Sequence, residues 1–169
     1  MGGGLDLVSV ARAADQVALS DLLVRFAAGI DTCDWELYRS VFTDEIDLDY
    51  SSWRPESIGR WSADDWVARA ARLFPGLTAS RHALSNVRVA VEGDAARVRA
   101  HVCADHVLVE DGAAPEVFTL NGVYDDRCVR VHGVWRIEGK RLVVQWCTGD
   151  RAILSRAAER VTDPALRRT

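Results

Sequence analysis

The sequence predicts an α+β fold: N-terminal helices packed on a long curved antiparallel sheet, a cone-shaped α+β barrel that encloses a pocket. Three observations carry this. Apolar residues recur at helical spacing through most of the first 74 positions, the pattern then changes to period two, and that period persists to about residue 147. The connections between the later runs are only a few residues long, which forces neighbouring strands to be antiparallel.

The elements follow in order. Val10 to Ile30 carries Val17, Leu19, Leu22, Leu23, Phe26 and Ile30 at helical spacing, and Gly29 and Asp31 weaken its end. Asp34 is placed to cap a short helix running to Phe42. Ile46-Asp47-Leu48-Asp49-Tyr50 alternates strictly, so Ile46, Leu48 and Tyr50 share one face of a strand. Arg54 to Gly59 reads as a loop, and Ser62-Ala63-Asp64-Asp65 as a variant capping box opening a helix through Phe74, stopped by Pro75-Gly76. Ser80 to Glu92, Ala95 to Glu110, Glu116 to Val131 and Val134 to Cys147 form a Val-rich meander, turned at Gly93-Asp94, Asp111-Gly112 and His132-Gly133. Asn121-Gly122 lies inside a β run and marks a bulge rather than a turn. A helix from Asp150 to Val161 ends the fold. Residues 10–161 form one domain, between a flexible N-terminus (1–9) and a disordered tail (162–169).

The chain has 169 residues, enough to bury a core without cross-links, and its four cysteines form no Cys-x-x-Cys pair. Cys33, Cys103, Cys128 and Cys147 therefore read as small buried hydrophobes. A net charge of −4 with scattered arginines gives no basic stripe for nucleic acid. There is neither a membrane-spanning apolar run nor a signal-peptide pattern, so the expected location is the cytoplasm. Dinucleotide, Walker and nucleophile-elbow motifs are missing. A Val-rich exposed sheet face favours self-association. Six tryptophans must line a core, an interface or a pocket. Trp35 and Trp66 belong on helices against the sheet, and Trp135 and Trp146 on the last strand. Trp53 and Trp61 flank the cone mouth, Trp53 being the better candidate to line the pocket.

Four histidines are available. His132 occupies a hairpin tip and takes no role. His101 and His106 are five apart and point to opposite faces, with His106 on the small apolar face of Ala100, Val102, Ala104 and Leu108. Asp31, Tyr50, His82 and His106 could converge inside the cone as an acid/base set. The aspartate would orient a histidine base, while the phenol and the second histidine would donate to a carbonyl or leaving oxygen. A facial metal site from His82, His106 and Asp31 is the weaker reading of the same residues.

The order of Asp31-Thr32-Cys33-Asp34-Trp35, Asp47-Leu48-Asp49-Tyr50, Arg81-His82, Gly122-Val123-Tyr124 and Gly133-Val134-Trp135-Arg136 resembles SnoaL-like proteins of the nuclear transport factor 2-like superfamily. Within it, scytalone dehydratase is the nearer relative and lindane dehydrochlorinase the looser one. The resemblance implies an Asp31–His82 base, Tyr50 and His106 as partners, no metal or organic cofactor, and a homo-oligomer (trimer or dimer). Where the dehydratase has a second tyrosine before its aspartate this chain has Ile30, and where it has an asparagine this chain has Cys128, with Asp126 on the same face able to replace it. Ile30, Phe26, Trp53, Asp126 and Cys128 are accordingly expected to contact substrate. The implied activity is that of a lyase or isomerase, dehydratase or cyclase, acting on a small apolar cyclic carbonyl compound in secondary metabolism, polyketide chemistry included. A non-catalytic subunit, like the small subunit of ring-hydroxylating dioxygenases, is the alternative.

Overall fold

The structure, a computed structural model, describes residues 6–162. Its elements are α1 (Leu7–Asp31), α2 (Trp35–Ser40), β1 (Phe42–Asp49), β2 (Ile58–Ser62), α3 (Ala63–Ala71), a 3-10 turn (Phe74–Gly76), β3 (Ala79–Glu92), β4 (Ala95–Leu108), β5 (Glu116–Val131), β6 (Val134–Thr148) and α4 (Ile153–Thr162). Of the termini expected to be flexible, residues 1–5 and 163–169 lie outside the described residues. Leu7 to Ser9 are helical and Thr162 ends α4, so both helices pass the boundaries read from the sequence.

Local chemistry explains most element ends. The Asp34 carboxylate accepts from the Leu37 N–H at 2.9 Å and starts α2. The Ser62 hydroxyl accepts from the Asp65 N–H at 3.0 Å and donates to its carboxylate, which fixes the start of α3. His132 and Gly133 both adopt positive φ, the conformation of a tight two-residue hairpin. In α1, Leu19, Leu22, Leu23, Phe26 and Ile30 are buried, whereas Val17 is 71% exposed because it sits about 200° around the helix from Leu19.

The strands form one sheet in the order β2-β1-β6-β5-β4-β3. The four-stranded antiparallel meander is its larger part, and β1 joins the free edge of β6 in parallel. The sheet is thus mixed. It does not close into a barrel, because β2 and β3 remain edges and the chain passes between them through α3 and the 3-10 turn. Curvature comes from register shifts at Ser85/Arg88 in β3, where Asn86 takes a φ of 53°, and at Asn121/Gly122 and Arg127/Cys128 in β5. A Cβ on Gly122 would stand 2.5 Å from the Val143 carbonyl oxygen, so the bulge requires glycine there. β4 alternates without error, with Ala96, Val98, Ala100, Val102, Ala104, His106 and Leu108 all buried.

One composition expectation is corrected. Only Cys128 of the four cysteines is buried, and Cys147 is exposed because the end of β6 lies at the sheet's outer rim. Of the last-strand tryptophans, Trp135 is core and Trp146 is 56% exposed. No described helix is long and apolar enough to cross a membrane.

Candidate active site

A cavity of about 570 Å³ opens between the inner sheet face and the helices. That is an ordinary size for a small-molecule site. Asp31, the last residue of α1, is turned toward β3, where its carboxylate takes three hydrogen bonds. They come from the His82 backbone N–H and the His82 ring Nδ1, each at 2.6 Å, and from the Ser80 hydroxyl at 3.0 Å. Burial raises the Asp31 pKa, but the bonds from His82 and Ser80 outweigh it and hold the carboxyl below its usual range. The carboxylate fixes the proton on Nδ1 and leaves Nε2 as the basic nitrogen of a histidine that lines the cavity.

His106 stands diagonally from His82 on the same face, because His82 pairs with Ala104 and Ser80 with His106. The ring centroids are 5.8 Å apart and nearly perpendicular, and Phe74 packs against both rings. His106 Nδ1 lies 3.3 Å from the Phe118 carbonyl oxygen, which can only accept, so Nδ1 carries the proton. Burial, then the neighbouring His82, pushes the His106 pKa down to about 4. At neutral pH this ring presents an unprotonated Nε2. In this tautomer Nε2 of His106 is an acceptor, where the sequence led to the expectation of a donor.

Donors come from phenols. Tyr50 follows β1, packs on Trp66 and lines the cavity with Tyr38 and Tyr124. Burial, followed by the proximity of the other phenols, raises the Tyr50 pKa well above the usual value, and the Tyr50 and Tyr124 hydroxyls interact. All three stay protonated at neutral pH. Ile30 lines the cavity without a hydroxyl, and Tyr124 supplies a second phenol from β5. Sequence reading missed Tyr124, Tyr38 and Trp66 as cavity residues. The buried-face alternation through Tyr124 was the available signal.

Among the expected substrate contacts, Phe26, Ile30 and Trp53 line the cavity. Asp126 and Cys128 do not. Asp126 is fully buried and accepts from Lys140 Nζ at 2.8 Å, and that ammonium sits 3.9 Å from the Phe26 ring centroid and 3.7 Å from that of Tyr124. Period two set the face of Asp126 correctly but not its depth, which lies behind two cavity-lining rings. Cys128 is buried on the same strand, and burial pushes its thiol up to about 12. Trp61 packs on Trp66 outside the lining, and His101 is exposed beside Asn86. Among the described residues no three of His, Cys, Asp or Glu are arranged to hold a metal ion.

Helices packed on a curved, open α+β sheet around a cavity give the fold of the nuclear transport factor 2-like class. The chain belongs to the SnoaL-like domain family, whose sequence profile matches residues 11–141. It is 30% identical over 132 residues to an uncharacterized protein of Mycobacterium tuberculosis, spanning 78% of this chain and 86% of the relative. A Kribbella flavida protein superposes with a TM-score of 0.78 and 27% identity, over 86% of this chain and 99% of that one. Two further structures share the fold at lower identity. A scytalone dehydratase-like protein from Novosphingobium aromaticivorans gives a TM-score of 0.69 and 19% identity over 83% and 90% of the two chains. A hexachlorocyclohexane dehydrochlorinase (LinA, type 2) gives 0.69 and 21% over 83% and 92%.

Proposed function

We propose that the protein is a cofactor-independent lyase or isomerase, of dehydratase or cyclase type, acting on a small cyclic carbonyl metabolite. The observation that carries this is the 2.6 Å Asp31–His82 bond, which orients a histidine whose side chain lines the cavity. His82 Nε2 removes a proton beside the carbonyl, and Asp31 stabilises the imidazolium. Tyr50 and Tyr124 donate to the oxygen on which negative charge develops, and His106 accepts from a substrate hydroxyl and orients it. The imidazolium then returns its proton, to the departing hydroxyl in elimination or to another carbon in isomerisation. Relatives in fold that are named as a dehydratase-like protein and a dehydrochlorinase support the reaction class. The alternative is a non-catalytic subunit of the same fold, which has no need of such a pair beside a cavity; the pair is what favours the catalytic reading. The reading extends to a cytoplasmic homo-oligomer, dimer or trimer, working in secondary metabolism, polyketide chemistry included; it is the family resemblance that supports this part.

A substrate-independent test follows the α-protons of 2-tetralone in D2O by NMR. The wild type should exchange them, and His82→Ala should lower the rate by about 10²–10⁴-fold, the usual contribution of a general base. Asp31→Asn should slow exchange with folding retained. Exchange by His82→Ala at the wild-type rate overturns the proposal.

A further inference from the structure

The cavity has a charge asymmetry that the acid/base chemistry does not use. Its floor is the two histidines and the phenols, and its walls are Phe, Trp and Leu side chains. At its outer side stand Arg54, Arg69 and Arg72, the first half-buried and the others exposed, and no Asp or Glu belongs to the lining. The one carboxylate nearby, Asp31, is engaged behind His82. Elsewhere in the described residues several arginines are ion-paired, Arg97 with Asp125, Arg127 with Asp47, Arg130 with Asp15 and Asp94, and Arg156 with Glu110 and Glu116, while Arg12, Arg88, Arg99, Arg136 and Arg151 are not but do not line the cavity. No carboxylate comes within ion-pair distance of Arg54, Arg69 or Arg72, and Arg69 lies only over the Trp61 ring. In a chain of net charge −4, this cavity gathers three guanidinium groups without a carboxylate in its lining.

We infer that the substrate carries an oxyanion, a carboxylate or phosphate, at the end that faces the cavity mouth. Its ring body fills the apolar walls and its reacting carbon reaches His82. Guanidinium forks suit this task, since they are permanently charged and present paired N–H donors to the two oxygens of such a group. Their position at the mouth leaves the charge partly hydrated, which avoids the desolvation penalty that a carboxylate would meet beside Phe74 or Phe118. The inference gives the substrate class of the catalytic reading above and rests on it for the reaction, but binding itself does not depend on turnover.

The test is equilibrium binding of 1-naphthol, 1-naphthoate and 1-naphthyl phosphate, read by quenching of Trp53 and Trp66 fluorescence. The wild type should bind at least one acid about tenfold more tightly than the neutral naphthol, a ratio expected of a few partly exposed ion pairs. In Arg54→Gln/Arg72→Gln that preference should fall to about twofold or less and become insensitive to salt. Which acid is preferred separates carboxylate from phosphate. Equal binding of the neutral and acidic compounds, absence of acid binding, or a preference that survives in the double variant overturns the inference. His82→Ala should keep the preference while losing tetralone exchange, so the two proposals fail separately. A thermal melt checks the fold of the double variant, and Arg54→Lys/Arg72→Lys should restore part of the preference.

Discussion

His106 shows how one side chain records its surroundings. Its ordinary pKa of 6.5 is pushed down to about 4 by burial and by His82. As pH falls below 6.5 the unfolded chain takes up a proton that the folded His106 refuses until about 4. Stability from this residue is therefore complete above 6.5, is lost across that window, and is level below it, a difference of about 3 kcal/mol at 1.36 kcal/mol per pH unit. Denaturant titrations from pH 7 to 4 should show that slope in the wild type and a much flatter one in His106→Asn. The buried Lys140–Asp126 pair has a different signature. Lys140→Met strands a buried carboxylate whose Oδ1 already has no partner, and should cost about 3–5 kcal/mol. Asp126→Leu/Lys140→Met should regain most of that loss, as read by urea midpoints. The residue scale was also the hardest to read from sequence. Asp31 and His82 are 51 positions apart, and nothing in their spacing announces a bond; the family resemblance connected them. Asp126 was assigned to the correct face and the wrong depth, because alternation encodes direction but not distance from a cavity.

Elements were more legible where their ends are chemically marked. Asp34, Ser62, Gly93 and the His132-Gly133 turn each begin or end a segment through a bond or conformation that only a few residue types provide. β2 was missed because Ile58–Ser62 has no buried alternating face; Ile58 is 59% exposed, and the strand exists by pairing with β1. The docking of α4 depends on Gly76, where any Cβ would collide with the backbone carbonyl of Ala157. Leu154, Ser155 and Ala158 of α4 also line the cavity. Gly76→Ala should therefore destabilise by about 1–3 kcal/mol, the usual cost of overpacking. Hydrogen exchange should quicken in α4 well before the central strands if that helix is the part displaced. Uniform loss of protection would assign Gly76 to the global core instead.

At the scale of the molecule, period two and short turns announced the meander, whereas the parallel pairing of β1 with β6 was out of reach. Contacts between positions such as Asp47 and Gly139 leave no local pattern. The sheet also leaves Val117, Val143 and Trp146 exposed at 44%, 36% and 56%. Apolar surface of this kind is commonly covered by another subunit. Sedimentation velocity should find a dimer or trimer, and Trp146→Glu should shift it toward monomer with an unchanged circular dichroism spectrum; a wild-type monomer at micromolar concentration would reject self-association. The smallest feature of the sheet has the widest reach. Ala104 lies directly across the ladder from His82 and borders the cavity, while the proton-handling groups belong to other positions. Methyl-sized at present, that position acts as a spacer in a mould: a bulkier residue would shorten the cavity and press on the His82 ring across the ladder. On the proposed reading, the size of the accepted ring and the seating of the base are thus inherited together, and a single codon at this position would change both.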